Sequence, residues 1–456
     1  MRAFIARDIV YRLQEAISHR PTFSYVAELE KSQWLSRSDL EALQLAKLER
    51  LLANALEHSP WHAERIRAAG LDPSENGGLT LADLRRLPTM NKQDASANRE
   101  RLVWRGVPGG VFKYNTGGSS GATLIFFFGR ERQASDAAGR IRARRWWGVE
   151  FGEPEVFLWG APVELNKTDR IKTLRDRLLN QLVLNAFEMS VANMDTYIEA
   201  IQRFDPACMY GYASSMALLA GRVRERGLKL KLPRLKVICT TGEPLFPHQR
   251  ELISEVFGVP VANEFGSRDV GLTALESPAG QMLLLSESII LEVLDPDGHP
   301  VAPGEVGEAV MTGLCSSAQP FIRYRTGDMV RASDEPCKQG RGLHVLGEVI
   351  GRSTDFIVRA DGTVMHALAI IYVFRAVPGV QEFKFIQHTT EDAEALVVPS
   401  PVLEDAMRER IVAGVRARLG DSVRVDVKTV EQIPPDASGK FRYVVSHVSL
   451  PAGAGL

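Results

Sequence analysis

Residues 235–265 read LKVICT, then PHQRELISEVF, then VPVANEF. A short β-rich run, an amphipathic stretch opened by proline and a second β-rich run make a strand, a helix and a strand. Such a βαβ unit commits its two strands to lie parallel in one sheet, which restricts the fold to the α/β class. Two loops leave the carboxyl ends of these strands, TTGEPLF at 240–246 and GSRDVG at 266–271. In open α/β sheets, ligands bind at that edge.

The rest of the chain surrounds this unit with other patterns. Residues 36–60, SRSDLEALQLAKLERLLANALEHSP, repeat leucine at helical spacing, and Ser38 with Glu41 fits a capping box. VFKY and TLIFFF, around 111–128, predict two strands on either side of a glycine-rich loop. Residues 287–313 alternate around DPDG as an antiparallel section, and near Gly351 the character shifts again. Beyond it lie a strand pair around ADGT, a helix over 403–419 and an alternating VRVDVKTV. The predicted architecture is a large N-terminal α/β domain over 1–353, with a parallel sheet and a β section, followed by a small α+β lid domain over 354–456. At 456 residues the chain is too long for one hydrophobic core, in keeping with that division.

A formal net charge of −1 provides no global field for nucleic acid or an anionic membrane, so anion binding has to be local. The N-terminal MRAFIARDIVYRLQEAI interrupts its apolar residues with charges, and no apolar run approaches the length of about 18 residues that crosses a bilayer. The expectation is a cytoplasmic protein without a membrane or nucleic-acid partner. Cys208, Cys239, Cys315 and Cys337 form no CxxC pair and read as free thiols.

The glycine loop is YNTGGSSGAT, Tyr114 to Thr123. Gly117-Gly118-Ser119-Ser120-Gly121 matches G-x-S-x-G, which would make Ser119 a hydrolase nucleophile, but that elbow needs a helix directly after the serine and a β-rich ATLIFFF follows. No Gly-Lys-Ser/Thr closes the loop, so it is not a Walker A motif. Two readings remain: a surface hairpin loop, or a loop whose backbone N–H groups and hydroxyls wrap a polyphosphate.

Four further stretches follow it in order: TTGEPL at 240–245, EFGSRDVG at 264–271, YRTGD at 324–328 with GRSTDFIV at 351–358, and ASGKFR at 437–442. As an ordered set they resemble the adenylate-forming (acyl-CoA synthetase-like) superfamily, most closely its phenylacetate-CoA ligase and CapK-like branch. The resemblance implies that Thr116, Gly117, Gly118, Ser119, Ser120, Gly121 and Thr123 hold the ATP phosphates, and that Gly242, Glu243 and Pro244 form the turn beside adenine. It implies that Phe265 and Gly266 lie against adenine, that Asp269 holds Mg²⁺, that Asp328 takes the ribose hydroxyls and that Arg352 reaches ribose or phosphate. Lys440 becomes the lysine that bridges the substrate carboxylate and the α-phosphate, delivered from the lid about a hinge at Thr354. The chemistry wants these types: a lysine and a magnesium ion to offset two anions meeting, and a carboxylate to accept from a vicinal diol.

Some positions depart from the family pattern. Thr354 replaces the usual hinge Asp or Lys, Ala122 and Thr123 replace a charged loop end, and ESPAGQM, with Ser277 and Met282, stands where parts of the branch carry a metal site, so no zinc is expected. By resemblance Trp159, Tyr212 and Ser214 line the acid pocket, although the aromatics read equally as core. The arginine-rich stretch from Arg130 to Trp147 reads as the solvated face of a helix rather than a coenzyme A phosphate patch. The implied activity is activation of an aryl, arylacetic or fatty acid with MgATP, then transfer to a thiol, with coenzyme A the first expectation and an amine, alcohol or carrier protein the alternative acceptor. A homodimer is compatible with this. Rivals from other classes are a Ser119 hydrolase and a catalytically silent nucleotide-binding protein.

Overall fold

The computed structural model describes residues 3–74, 78–115, 124–159, 175–186, 189, 191–352, 356–361, 364–366, 368–399, 402–433 and 443–448. The βαβ unit is present, with Val237–Thr241 and Val261–Ser267 parallel around the helix Pro247–Phe257. Proline at the first helical position costs no intrahelical hydrogen bond, and Gly258 ends the helix at φ +70°.

These two strands sit inside an eight-stranded sheet. Its order is Gln181–Asn185, Glu155–Trp159, Cys208–Gly211, Val237–Thr241, Val261–Ser267, Gly271–Glu276, Met282–Leu284 and Val345–Leu346. The first five run parallel and the last three antiparallel. Side chains alternate faces along each strand. Val156, Leu158, Met209, Ile238 and Val261 pack under the helices Val191–Phe204, Ala213–Glu225 and Pro247–Phe257. Cys208, Val237 and Ala262 face the other way with Trp147.

A second, antiparallel sheet follows in the order Ile289–Leu294, Val306–Gly313, Tyr324–Arg331 and Val349–Arg352, so the β section expected around DPDG is there. The C-terminal part has its own core, with Ile357, Ile370, Phe374, Phe383 and Phe385 buried among the strands Val380–Gln387 and Asp392–Pro399 and the helix Asp405–Leu419. No helix among the described residues is long and apolar enough to cross a membrane.

Two local readings are corrected. The helix Arg37–His58 is capped by Ser36, not Ser38: Ser36 is extended at φ −62° and ψ 162°, and its hydroxyl accepts from the Asp39 N–H. Asp39 stands at the third helical position foreseen for Glu41, and its carboxylate accepts from the Ser36 hydroxyl at 2.6 Å, because the chain turns into the helix two residues early.

The helix Arg130–Trp146 is not a solvated face. Arg132 and Arg142 are buried, and the helix lies between the sheet and the helix Thr22–Ser32. Arg142 and Glu287, both fully buried, pair at 2.6 Å, and Ser32 also donates to Glu287. Glycine at 139 permits the close packing, since a Cβ there would lie 2.9 Å from Leu272 and 3.0 Å from Leu285.

Removing one charge of a buried pair strands the other. Glu287→Ala is therefore expected to cost about 3–5 kcal/mol in urea unfolding. The double variant Arg142→Met with Glu287→Met should recover much of the loss. A single variant within experimental error of the parent would show that Arg142 is neutralised by other groups.

Candidate active site

Gly242, Glu243, Trp159 and Asp269 stand at or just beyond the carboxyl ends of parallel strands. Val237–Thr241 runs into Gly242, whose φ of +81° turns the chain sharply and favours glycine. The Glu243 carboxylate then accepts from the backbone N–H of Ser214, in the first turn of the helix Ala213–Glu225. Two strand-end loops are thereby tied together at a helix N-terminus, where a carboxylate is favoured.

Trp159 ends its strand, and its ring stacks on Tyr212 at 4.6 Å and 16°. It also stacks on Tyr210 at 5.6 Å and 25°. The two pocket aromatics expected from the sequence therefore touch, and Tyr210 extends the stack.

Beneath it lies a polar network that the sequence reading missed. Glu264 is buried and accepts from the Tyr210 hydroxyl at 2.8 Å and the Thr241 hydroxyl at 3.2 Å, with Arg140 at 3.1 Å. Burial would raise the Glu264 pKa, but the Arg140 guanidinium and these hydrogen bonds outweigh it and hold the group below the usual carboxylate range. Burial pushes the Tyr210 phenol well up, so it remains a donor. The signal was available in EFGSRDVG, whose first residue is Glu264, but its partner lies on a distant helix.

The next residues of that motif turn toward the second sheet. Phe265 is buried with Met90, Phe321 and Tyr324, so it occupies a core position as well as a place in the motif. At Gly266 a Cβ would approach the Gly271 carbonyl oxygen to 2.7 Å, so the tight strand crossing admits only glycine without displacement. Asp269 is buried. Its carboxylate accepts from the Tyr324 hydroxyl at 2.8 Å, and its backbone carbonyl and that of Arg268 accept from Arg132. It is held by these groups rather than by a surface pair with Arg268.

Tyr324 opens YRTGD, so this motif supplies two residues to the site, only one of which the sequence singled out. The other, Asp328, is buried and lies directly across from Arg352 in the antiparallel register, and its N–H donates to the Thr326 hydroxyl at 3.1 Å. Asp269 and Tyr324 thus join the two sheets, and Asp328 lies farther along the Tyr324–Arg331 strand.

Other sequence candidates lie outside the described residues: Thr116, Gly117, Gly118, Ser119, Ser120, Gly121 and Thr123 in the glycine loop, Thr354 and Lys440. The flanking strands Phe112–Asn115 and Ile125–Phe128 pair antiparallel, as expected. Tyr443, three residues beyond Lys440, packs with Phe246, two residues beyond Pro244, at 6.4 Å and 70°. No group of three or more metal-ligating side chains occurs among the described residues. A lone buried carboxylate at Asp269 fits Mg²⁺, which takes one or two protein carboxylates and completes its shell with phosphates and water.

A family model for the CapK C-terminal domain matches residues 357–447. Protein CapK of Staphylococcus aureus is 22% identical over 439 residues, covering 95% of this chain and 94% of its own. A phenylacetate-coenzyme A ligase of Thermus thermophilus is 25% identical, covering 92% of this chain and 99% of its own. Among solved structures, 2-hydroxyisobutyryl-CoA ligase in its postadenylation state matches with a TM-score of 0.72 at 22% identity, over 91% of each chain.

The depressed pKa of Glu264 gives a pH test. A carboxylate whose folded pKa lies below its unfolded value contributes stability above the carboxylate range and loses it as pH falls through the folded pKa. Arg140→Met should cost about 1–3 kcal/mol at neutral pH, less than a fully buried pair because Arg140 keeps 38% of its side chain in solvent. The gap between parent and variant should narrow in thermal melts taken toward acid pH. A gap independent of pH would remove Glu264 as the partner that matters.

Proposed function

We propose that the chain is a member of the adenylate-forming superfamily, in the branch of CapK and the phenylacetate-CoA ligases, and acts as an AMP-forming acid–thiol ligase. The observation that carries the reading is the Tyr324–Asp269 hydrogen bond, which joins the YRTGD strand to the loop at the carboxyl end of a parallel strand, the edge where ligands bind in open α/β sheets.

In the proposed reaction a substrate carboxylate oxygen attacks the α-phosphorus of ATP. The bond from that phosphorus to the β-bridging oxygen breaks, and pyrophosphate leaves with the electron pair. The acyl-adenylate is then attacked at its carbonyl carbon by a thiolate, and AMP departs. Coenzyme A is the proposed thiol and the acid is aryl, arylacetic or fatty. The stacked Trp159 and Tyr212 would form one wall of its pocket.

Magnesium would be held by Asp269 and would supply charge neutralisation of the triphosphate. Tyr324 holds the Asp269 carboxylate in one orientation, and Arg132 fixes the backbone on which it stands. Asp328 would accept from the ribose hydroxyls and the glycine loop would cover the phosphates. Lys440 would enter from the lid about Thr354, and packing of Tyr443 on Phe246 supports a lid that meets the adenine turn.

Carboxylate-dependent exchange of labelled pyrophosphate into ATP, across a panel of acids, tests the first step and sorts the acid class together. Lys440→Ala should lower exchange about 10²–10³-fold while ATP binding stays largely intact. Equal loss of both would make Lys440 a structural residue. Exchange with no acid despite ATP binding would favour the silent-binder reading, and fluorophosphonate labelling of Ser119 would favour the hydrolase. Release of AMP dependent on coenzyme A, against amine and alcohol controls, identifies the acceptor.

A further inference from the structure

The N-terminal helix presents an apolar stripe to solvent. Phe4, Ile9, Leu13 and Ile17 are 53–71% exposed and Ile5 is 36% exposed. A surface helix of a globular domain ordinarily turns such residues inward. Here the inward face is already occupied by other residues. Ala6, Tyr11 and Glu15 are buried, with Tyr11 against Phe151 at 4.5 Å and Phe23 at 5.7 Å. Glu15 accepts from Thr22 and pairs with Arg20. The helix backbone also docks closely, since a Cβ on Gly152 would lie 2.6 Å from the Ala3 carbonyl oxygen.

The helix geometry keeps the stripe in line. Ile5–Tyr11 is π-helical and Arg12–Ile17 is α-helical. Hydrogen bonds close over five residues in a π-helix and four in an α-helix, so the step from Phe4 to Ile9 and the steps from Ile9 to Leu13 to Ile17 each advance about one turn. A purely α-helical segment would carry Phe4 off the line.

Charge selects the occupant. Residues 1–20 contain Arg2, Arg7, Arg12 and Arg20 against Asp8 and Glu15, a formal +2 on a chain whose total is −1. Both acids are engaged internally, Asp8 by Arg7 at 2.7 Å and Arg12 at 3.7 Å and Glu15 by Arg20 and Thr22. Arg12 remains 57% exposed beside Leu13. A second copy seated along this stripe would bring two segments of formal charge +2 together. An anionic bilayer surface satisfies both the apolar stripe and the basic flank.

We propose that the face formed by Phe4, Ile5, Ile9, Leu13 and Ile17 docks in the plane of an anionic lipid surface, with Arg12 toward the headgroups. The overall charge, which argues against a membrane partner, does not register so local a feature.

The test is co-sedimentation of the full chain with vesicles of phosphatidylcholine, with and without phosphatidylglycerol, at low and raised salt. Binding should favour the anionic vesicles and weaken with salt. Leu13→Ser and Ile17→Ser should each reduce affinity about tenfold. Both sites are exposed, so their melting temperatures should match the parent. Arg12→Glu keeps the stripe and should lose the preference for anionic lipid. Absence of vesicle binding would overturn the proposal. So would a concentration-dependent dimer, broken by the same serine variants, in a chain that leaves vesicles unbound.

Discussion

A guanidinium withdrawn from water has to be met by acceptors in fixed positions, and the helix Arg130–Trp146 imposes that requirement at Arg132, Arg142 and Arg144 and, with part of the side chain in solvent, at Arg140. Arg132 reaches the carbonyls of Arg268 and Asp269, Arg140 meets Glu264, Arg142 meets Glu287 and Arg144 meets Glu155 at 2.7 Å. These acceptors belong to separate parts of the fold: the strand Glu155–Trp159 of the parallel sheet, the strand and loop that carry EFGSRD, and the segment that leads into the second sheet. The helix can seat all four only if those segments stand in their observed relation. The cost of stranding a buried charge is several kcal/mol, larger than a typical packing adjustment, so the arginines specify the relation as well as tolerate it. Two of the four partners sit within the candidate site, which makes the site's backbone geometry a consequence of this one helix.

The site takes its shape from a junction. Asp269 comes from the loop that ends the Val261–Ser267 strand, and Tyr324 is the first residue of a strand in the other sheet. Met90 pins that strand from outside, accepting from the Arg325 N–H and donating to the Arg323 carbonyl. A hydrogen bond between side chains from two sheets is useful only where both backbones are fixed, and here a strand register and an added bridge fix one side while Arg132 fixes the other. The Asp269 carboxylate is therefore preorganised, which is what an electrostatic role in phosphate chemistry demands.

Much of this could be read from the sequence because the signals were local. The βαβ unit rests on one switch of hydrophobic period, and the hairpins around DPDG and ADGT rest on turn residues, so each is decided within about thirty residues. The motif residues Gly242, Glu243 and Asp269 occupy loops at strand ends for the same reason, while Phe265 and Asp328 lie within strands. What escaped was long-range pairing. RERQASDAAGRIRARRW is polar enough to read as a solvated face, and nothing within it reveals that Glu155, Glu264 and Glu287 stand opposite. Tyr324 lay in plain view in YRTGD, but a tyrosine beside an arginine carries no sign that an aspartate 55 positions earlier will accept its hydrogen bond. The Ser36 cap escaped for a smaller reason, since two serines compete at that helix start and backbone direction chooses between them.

Net charge counts charges without placing them, and that limit explains two features that pull in opposite directions. The densest arginine run contributes little external field, because Arg140, Arg142 and Arg144 have carboxylate partners inside the fold and Arg132 is spent on carbonyls. Residues 1–20 hold half as many acids as arginines, and their net positive charge flanks an exposed apolar stripe. A chain of total charge −1 can therefore be locally cationic where it has fewer arginines and neutral where it has more. What decides the field is whether each guanidinium faces an acceptor across a buried interface, and that is a property of the tertiary fold rather than of composition.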